Sequence, residues 1–181
     1  MKRYIVLLLL ATQILPAYSS NSLQYPDDCC IYDTKNNYAV MLSSLYNNFV
    51  AYYGLADNRE LIHFDMQGRE QIWSYRYNIG LQIYVYNFYN SMFKIQVSSP
   101  QFRTSRGIMV GDFEEKVLQE YGEPDIISKE SDGSKVYEYH YHVPELNGKK
   151  TSSKKTNKYT VLSFVIDKKQ LVNSIVMENK G

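Results

Sequence analysis

The sequence has no surplus of charge of either sign, only two cysteines, three histidines and one tryptophan. With 20 Lys and Arg against 19 Asp and Glu, it lacks the broad positive field that draws a protein to nucleic acid. Long apolar runs are also missing. Ile5 to Leu15 is the longest, and its roughly eleven residues fall short of the roughly 20 that a membrane-spanning helix needs. Lys2 and Arg3 precede this run, and the small residues Ala17 and Ser19 follow it. That order is the pattern of a secretory signal over residues 1–19. The chain is therefore expected to be exported, either secreted or periplasmic. Loss of Lys2 and Arg3 turns a formal charge of +1 into about −1.

The two cysteines, Cys29 and Cys30, are neighbours. A disulfide between them needs an unusual peptide geometry, so a vicinal bridge, a link to another chain and two free thiols all remain open. The preceding residues, Pro26-Asp27-Asp28, are not a lipid-attachment signal, and no metal-ligand spacing surrounds the pair. A nucleophile elbow, metal-spaced histidines and a glycine-rich phosphate loop are also missing. The expectation is a protein that is not an enzyme and takes no cofactor.

What is present is a helix with clear ends and a chain rich in strands. In Arg106 to Asp125, Asp112 and Glu115 have the spacing of a capping box, and Glu114 and Glu115 suit the positive helix end. Val117, Leu118 and Tyr121 form an apolar stripe; Gly122 supplies a left-handed end and Pro124 forbids continuation. Leu42 to Asp57 follows the same pattern 68 residues earlier, with Tyr53-Gly54 over Tyr121-Gly122. Leu81 to Val97 lies without a gap over Val161 to Met177 at an offset of 80. The difference points to an insertion in the second copy, and the Lys-rich Asn147 to Lys158 has the composition of a solvated loop. Two related units are thus expected, at 38–99 and 100–181, after an extended arm at 20–37. Met41, Leu45, Phe49 and Tyr53 set a helix over Tyr38 to Tyr53. Each unit reads as a helix followed by about four antiparallel strands, an α+β fold with helices on one sheet face.

Gly107, Val110-Gly111-Asp112, Val117, Tyr121-Gly122, Pro124 and the hairpin Leu162 to Val176 carry a resemblance. The pattern is similar to the secreted beta-lactamase inhibitor protein (BLIP)-like fold and to small SmpA/OmlA-type outer-membrane lipoproteins. This resemblance implies tandem repeats whose sheets present a surface to a protein partner, without a catalytic group. It identifies no partner, and no inhibitory loop transfers residue by residue.

Eighteen tyrosines are the main compositional excess. Tyr suits strands, and it also dominates recognition surfaces, because it presents a rigid area with a hydrogen-bonding tip. Trp73, Tyr75, Tyr77, Tyr84, Tyr86, Tyr137, Tyr139 and Tyr141 alternate along candidate strands and form the predicted partner-binding group. Leu81, Ile83 and Val85 are predicted to face the helices, and Phe93, Ile95 and Val97 repeat the alternation in the following strand. Glu138, His140 and His142 share one strand face but lack a third firm metal ligand, so no metal site is assigned. The function expected is binding of a protein partner through aromatic residues on the sheet. The alternative is an envelope structural or assembly factor whose Lys149 to Lys158 loop contacts polymer or lipid.

Overall fold

Alternation of buried and partly exposed side chains, cleanest in Leu81–Tyr86, marks the inner strands of this chain, because a strand sends successive residues to opposite faces. The computed structural model describes residues 27–64, 71–142 and 159–180. The signal pattern at 1–19 and the Lys-rich segment at 147–158 lie outside them. Eleven strands and two α-helices follow in order: β1 (Cys30–Asp33), β2 (Tyr38–Met41), α1 (Tyr46–Tyr53), β3 (Asn58–Phe64), β4 (Gln71–Tyr77), β5 (Leu81–Tyr86), β6 (Ser91–Val97), β7 (Phe102–Thr104), α2 (Glu114–Tyr121), β8 (Ile126–Lys129), β9 (Lys135–His142), β10 (Tyr159–Ile166) and β11 (Val172–Lys180). Strands β3 to β6 and β8 to β11 make one antiparallel sheet in the order β3-β4-β5-β6-β11-β10-β9-β8. Its two central strands are joined by the pairs Ile95↔Met177 and Val97↔Ile175.

Register fixes what each face contains. Tyr77, Leu81, Val97, Ile175, Phe164 and Tyr137 stand opposite one another from strand to strand, and all are buried. A parallel row runs through Tyr75, Ile83, Ile95, Met177, Leu162 and Tyr139. Against these rows pack Tyr46 and Phe49 of α1, Val117 and Tyr121 of α2, and Ile31, Val40 and Phe102 of a small β2-β1-β7 sheet. Each fully buried Phe, Ile or Leu adds about 1.5–3 kcal/mol of transfer free energy. Core continuity across β6 and β11 therefore ties the first and last hairpins into a single unit.

That continuity corrects the predicted fold class. There are not two helix-plus-sheet units: one eight-stranded sheet spans the proposed boundary, and each helix is only eight residues long. Strands dominate because most apolar residues repeat at a period of two. Residues 27–37 are no extended arm either. A 3-10 turn at Asp27–Cys29 leads into β1, which pairs with both β2 and β7. The buried Asp28 carboxylate meets Arg106 at 3.0 Å, and the Arg106 guanidinium lies 4.8 Å from the Tyr121 ring centroid. Cys29 and Cys30 are buried and share no disulfide, and burial pushes the Cys29 thiol up to about 11.

Two local predictions change for definable reasons. Tyr38–Met41 is a strand, because Asn37 takes a positive φ of 53° and reverses the chain so that Tyr38 meets Asp33. Ser43, with φ 63°, interrupts the four-residue spacing that mimicked a longer helix. At α2 the N-cap is Phe113, not Asp112, and no side-chain capping bond forms. The Glu114 N–H instead donates to the Gln170 carbonyl, and Asp112 accepts from the Met109 N–H and the Lys116 ammonium. Gly122 does end the helix with φ 76°.

Candidate protein-contact face

The predicted aromatic group divides by sheet face. Tyr77, Tyr137, Tyr139 and Tyr141 are buried under the helices and belong to the core. Tyr75 shares their side of the sheet and stacks on Tyr46 of α1 at 4.1 Å. Trp73 stands two residues along on that same side, partly buried; its indole N–H donates to the Gln71 side chain, and the Arg59 guanidinium lies 5.5 Å from its ring. These six are therefore corrected from contact residues to residues of the helix-covered side. Only Tyr84 and Tyr86 of the eight occupy the opposite side.

The structure adds neighbours that the alternation hid. Tyr84 pairs with Lys94 while Val85 pairs with Met92, so Phe93 is an extra residue in a β-bulge. Met92 takes the buried position, and Phe93 turns outward to stack on Tyr86 at 4.1 Å and approach Tyr84 at 6.4 Å. Phe93 therefore does not share a face with Ile95 and Val97 as strict alternation predicts. At the hairpin tip, Phe88 is 76% and Tyr89 68% exposed, with ring centroids 5.0 Å apart. Their position in a turn, outside any alternating run, left no pattern to mark them. The only signal was two adjacent aromatics where a polar pair is usual.

Charges border this strip. The Lys94 ammonium sits 5.2 Å from the Tyr84 ring and 3.6 Å from the Glu178 carboxylate. Partial burial raises the Tyr84 hydroxyl pKa, while Arg76 acts in the opposite direction. Further along the same face, Arg76, Gln82 and Gln96 are cross-strand neighbours and line a cavity of about 270 Å³ with Asn78, Gly80 and Ser98. Glu138 and His140 also lie on this face, 3.2 Å apart. Among the described residues, no group of three or more His, Cys, Asp or Glu is placed to hold a metal ion. No helix among them is long and apolar enough to cross a membrane.

No protein-family model matches the chain, and no curated protein matches it. Three solved structures are similar over 76% of its length. One is a DUF4309 family protein, YjgB, from Bacillus subtilis, at 15% identity and a TM-score of 0.42, with 79% of that chain covered. Another is an extracellular protein containing an SCP domain from Bacillus anthracis, at 11% identity and a TM-score of 0.46. The third is a cysteine-rich secretory protein from Staphylococcus aureus, at 10% identity and a TM-score of 0.41. The chain spans 43% and 42% of the length of the last two.

Proposed function

We propose that this is an exported, non-enzymatic protein-binding module whose contact surface is the β5–β6 hairpin and the sheet face behind it. Support for export comes from the charged start, apolar run and small residues of 1–19. The observation that carries the binding role is the aromatic strip: Tyr86 stacked on Phe93 on the side away from the helices, continued by the exposed Phe88 and Tyr89. Aromatic rings at the centre of an interface supply a large share of affinity, about 2 kcal/mol or more for a single dominant residue. Their low side-chain entropy reduces the cost of ordering.

Immobilised full chain is used to capture a partner from culture fluid or envelope extract, and the purified partner is then titrated against variants. Phe88→Ala, Tyr89→Ala and Phe93→Ala are expected to weaken binding at least tenfold in one or more cases, with circular dichroism unchanged. A partner that binds all three variants as tightly as the parent chain sinks the reading.

A further inference from the structure

We infer that the cavity between β4, β5 and β6 is a carboxylate subsite, taking an Asp or Glu side chain or a chain-terminal carboxylate of the partner segment held by the aromatic strip. This rests on the binding role above and gives that partner a chemistry. Arg76, Asn78, Gln82, Gln96 and Ser98 line one depression, and their side chains carry a guanidinium, three carboxamides and a hydroxyl. Arg76 is the cation of the set, and its side chain is exposed. Among the described residues no carboxylate lies within ion-pair distance of it, whereas Lys94 is matched by Glu178 and Lys135 by Glu114. Asp57, in the loop before β3, is engaged by the Asn78 N–H at 2.7 Å, and Glu60, opposite Ser74 on this face, forms no ion pair with Arg76. A planar guanidinium offers paired N–H donors that match the two oxygens of a carboxylate.

Size and position narrow the occupant. At about 270 Å³ the cavity lies just below the roughly 300–1,000 Å³ of sites that enclose whole small-molecule ligands. It suits one polar side chain or a chain end. Gln82 is held in place on this face, its side-chain N–H donating to the Ser74 hydroxyl at 2.6 Å, and its amide keeps a second N–H to donate. Gln82 and Tyr86 are four residues apart on β5, roughly 13 Å along a strand. A partner segment lying along β5 therefore carries its carboxylate about four extended residues from its apolar anchor.

Three peptides test this with the full, isotope-labelled chain: acetyl-Phe-Ser-Thr-Ser-Glu-amide, the same peptide ending in Gln-amide, and acetyl-Phe-Ser-Thr-Ser-Gln with a free terminal carboxylate. Backbone amide shifts at Gly80, Gln82, Gln96 and Ser98 are expected with the Glu-amide peptide, the free acid or both, and absent with the neutral one. The arm that responds identifies the source of the carboxylate. Arg76→Gln is expected to weaken the response about tenfold without altering the rest of the spectrum, and Arg76→Lys to restore part of it. Equal shifts from the neutral peptide, insensitivity to Arg76→Gln, or the same shifts from inorganic phosphate at equal concentration would overturn the subsite. Carboxylate-dependent shifts that persist in Phe93→Ala support it even where the aromatic strip proves idle.

Discussion

The hydroxyl of Tyr139 on β9 donates to the Gly122 carbonyl 2.9 Å away, where α2 ends. Tyr77 on β4 donates in the same sense to the Gly54 carbonyl at the end of α1, at 3.3 Å. Each bond satisfies a helix-end carbonyl that the helix itself leaves unpaired. Both rings are buried, so their polar tips serve the fold. Tyr139→Phe is expected to lower unfolding free energy by about 1 kcal/mol, read by urea denaturation. Tyr139→Ala should cost about 3–5 kcal/mol. Tyr139→Phe is expected to leave partner affinity unchanged, and a selective loss of affinity would return Tyr139 to the contact surface.

The hairpin tip should behave in the opposite way. Phe88 and Tyr89 are mostly exposed and pack on each other, and surface substitutions of this kind stay within about 0.5 kcal/mol. The double variant Phe88→Ala/Tyr89→Ala is expected to keep the parent melting temperature within about 4 °C while losing partner affinity. A large drop in melting temperature would mean that the tip packs on the domain.

Two carboxyls link stability to acid pH. Burial alone would raise the Asp33 pKa, but hydrogen bonds from Tyr53, Asn36 and Gln101 outweigh it and hold the group below its ordinary value. Glu114 is similar: burial opposes ionisation, while Lys135 at 2.8 Å and the Tyr137 hydroxyl keep it lowered. A depressed folded pKa contributes stability that is present above the unfolded value, about 4, and lost as pH falls through the folded one. Unfolding free energy is thus expected to decline below about pH 4. Asp33→Asn/Glu114→Gln should be less stable than the parent at pH 7, with the gap narrowing in acid. A gap of constant size from pH 7 to pH 2.5 would contradict the linkage.

How much of this was legible follows from which patterns are local. Leu81 to Tyr86 is legible with its ends and facing, because one strand paired on both sides keeps period two throughout. The helix end at Gly122 was legible for the same local reason. Sheet continuity was not: the β6–β11 pairing joins residues about 80 apart, and nothing near Ile95 or Met177 announces it. Phe93 was misplaced by one because a bulge inserts a residue without changing composition. The tyrosines on β4 and β9 were identified as a group, but period two says only that they share a face. Packing of Tyr46 and Tyr121 decides that it is the covered one.

Gly80 and Gly54 share a φ but differ in what surrounds them. Both have φ 79°, where an L side chain strains the backbone, and at Gly54, with ψ −170°, the combination is one that only glycine takes readily, about 1–3 kcal/mol for another residue. Around Gly54 an added Cβ meets nothing within 4 Å. At Gly80 it would stand 2.6 Å from Ser99 Cβ and 3.2 Å from the Ser99 N. The nearest obstruction is close to the backbone of residue 99 and cannot swing aside as a side-chain tip does. Ser98 is also tied here, its N–H donating to the Gly80 carbonyl at 2.9 Å. Gly80→Ala must therefore push the β4–β5 turn away from the segment after β6, on the wall of the cavity that Arg76 and Gln96 line. Overpacking of this kind costs about 1–3 kcal/mol beyond any backbone strain, and Gly80→Ala is expected to lose the carboxylate-dependent shifts that Gly54→Ala keeps. Carboxylate-dependent shifts that survive in Gly80→Ala would show that the turn yields freely and that close packing at Ser99 does not shape the cavity.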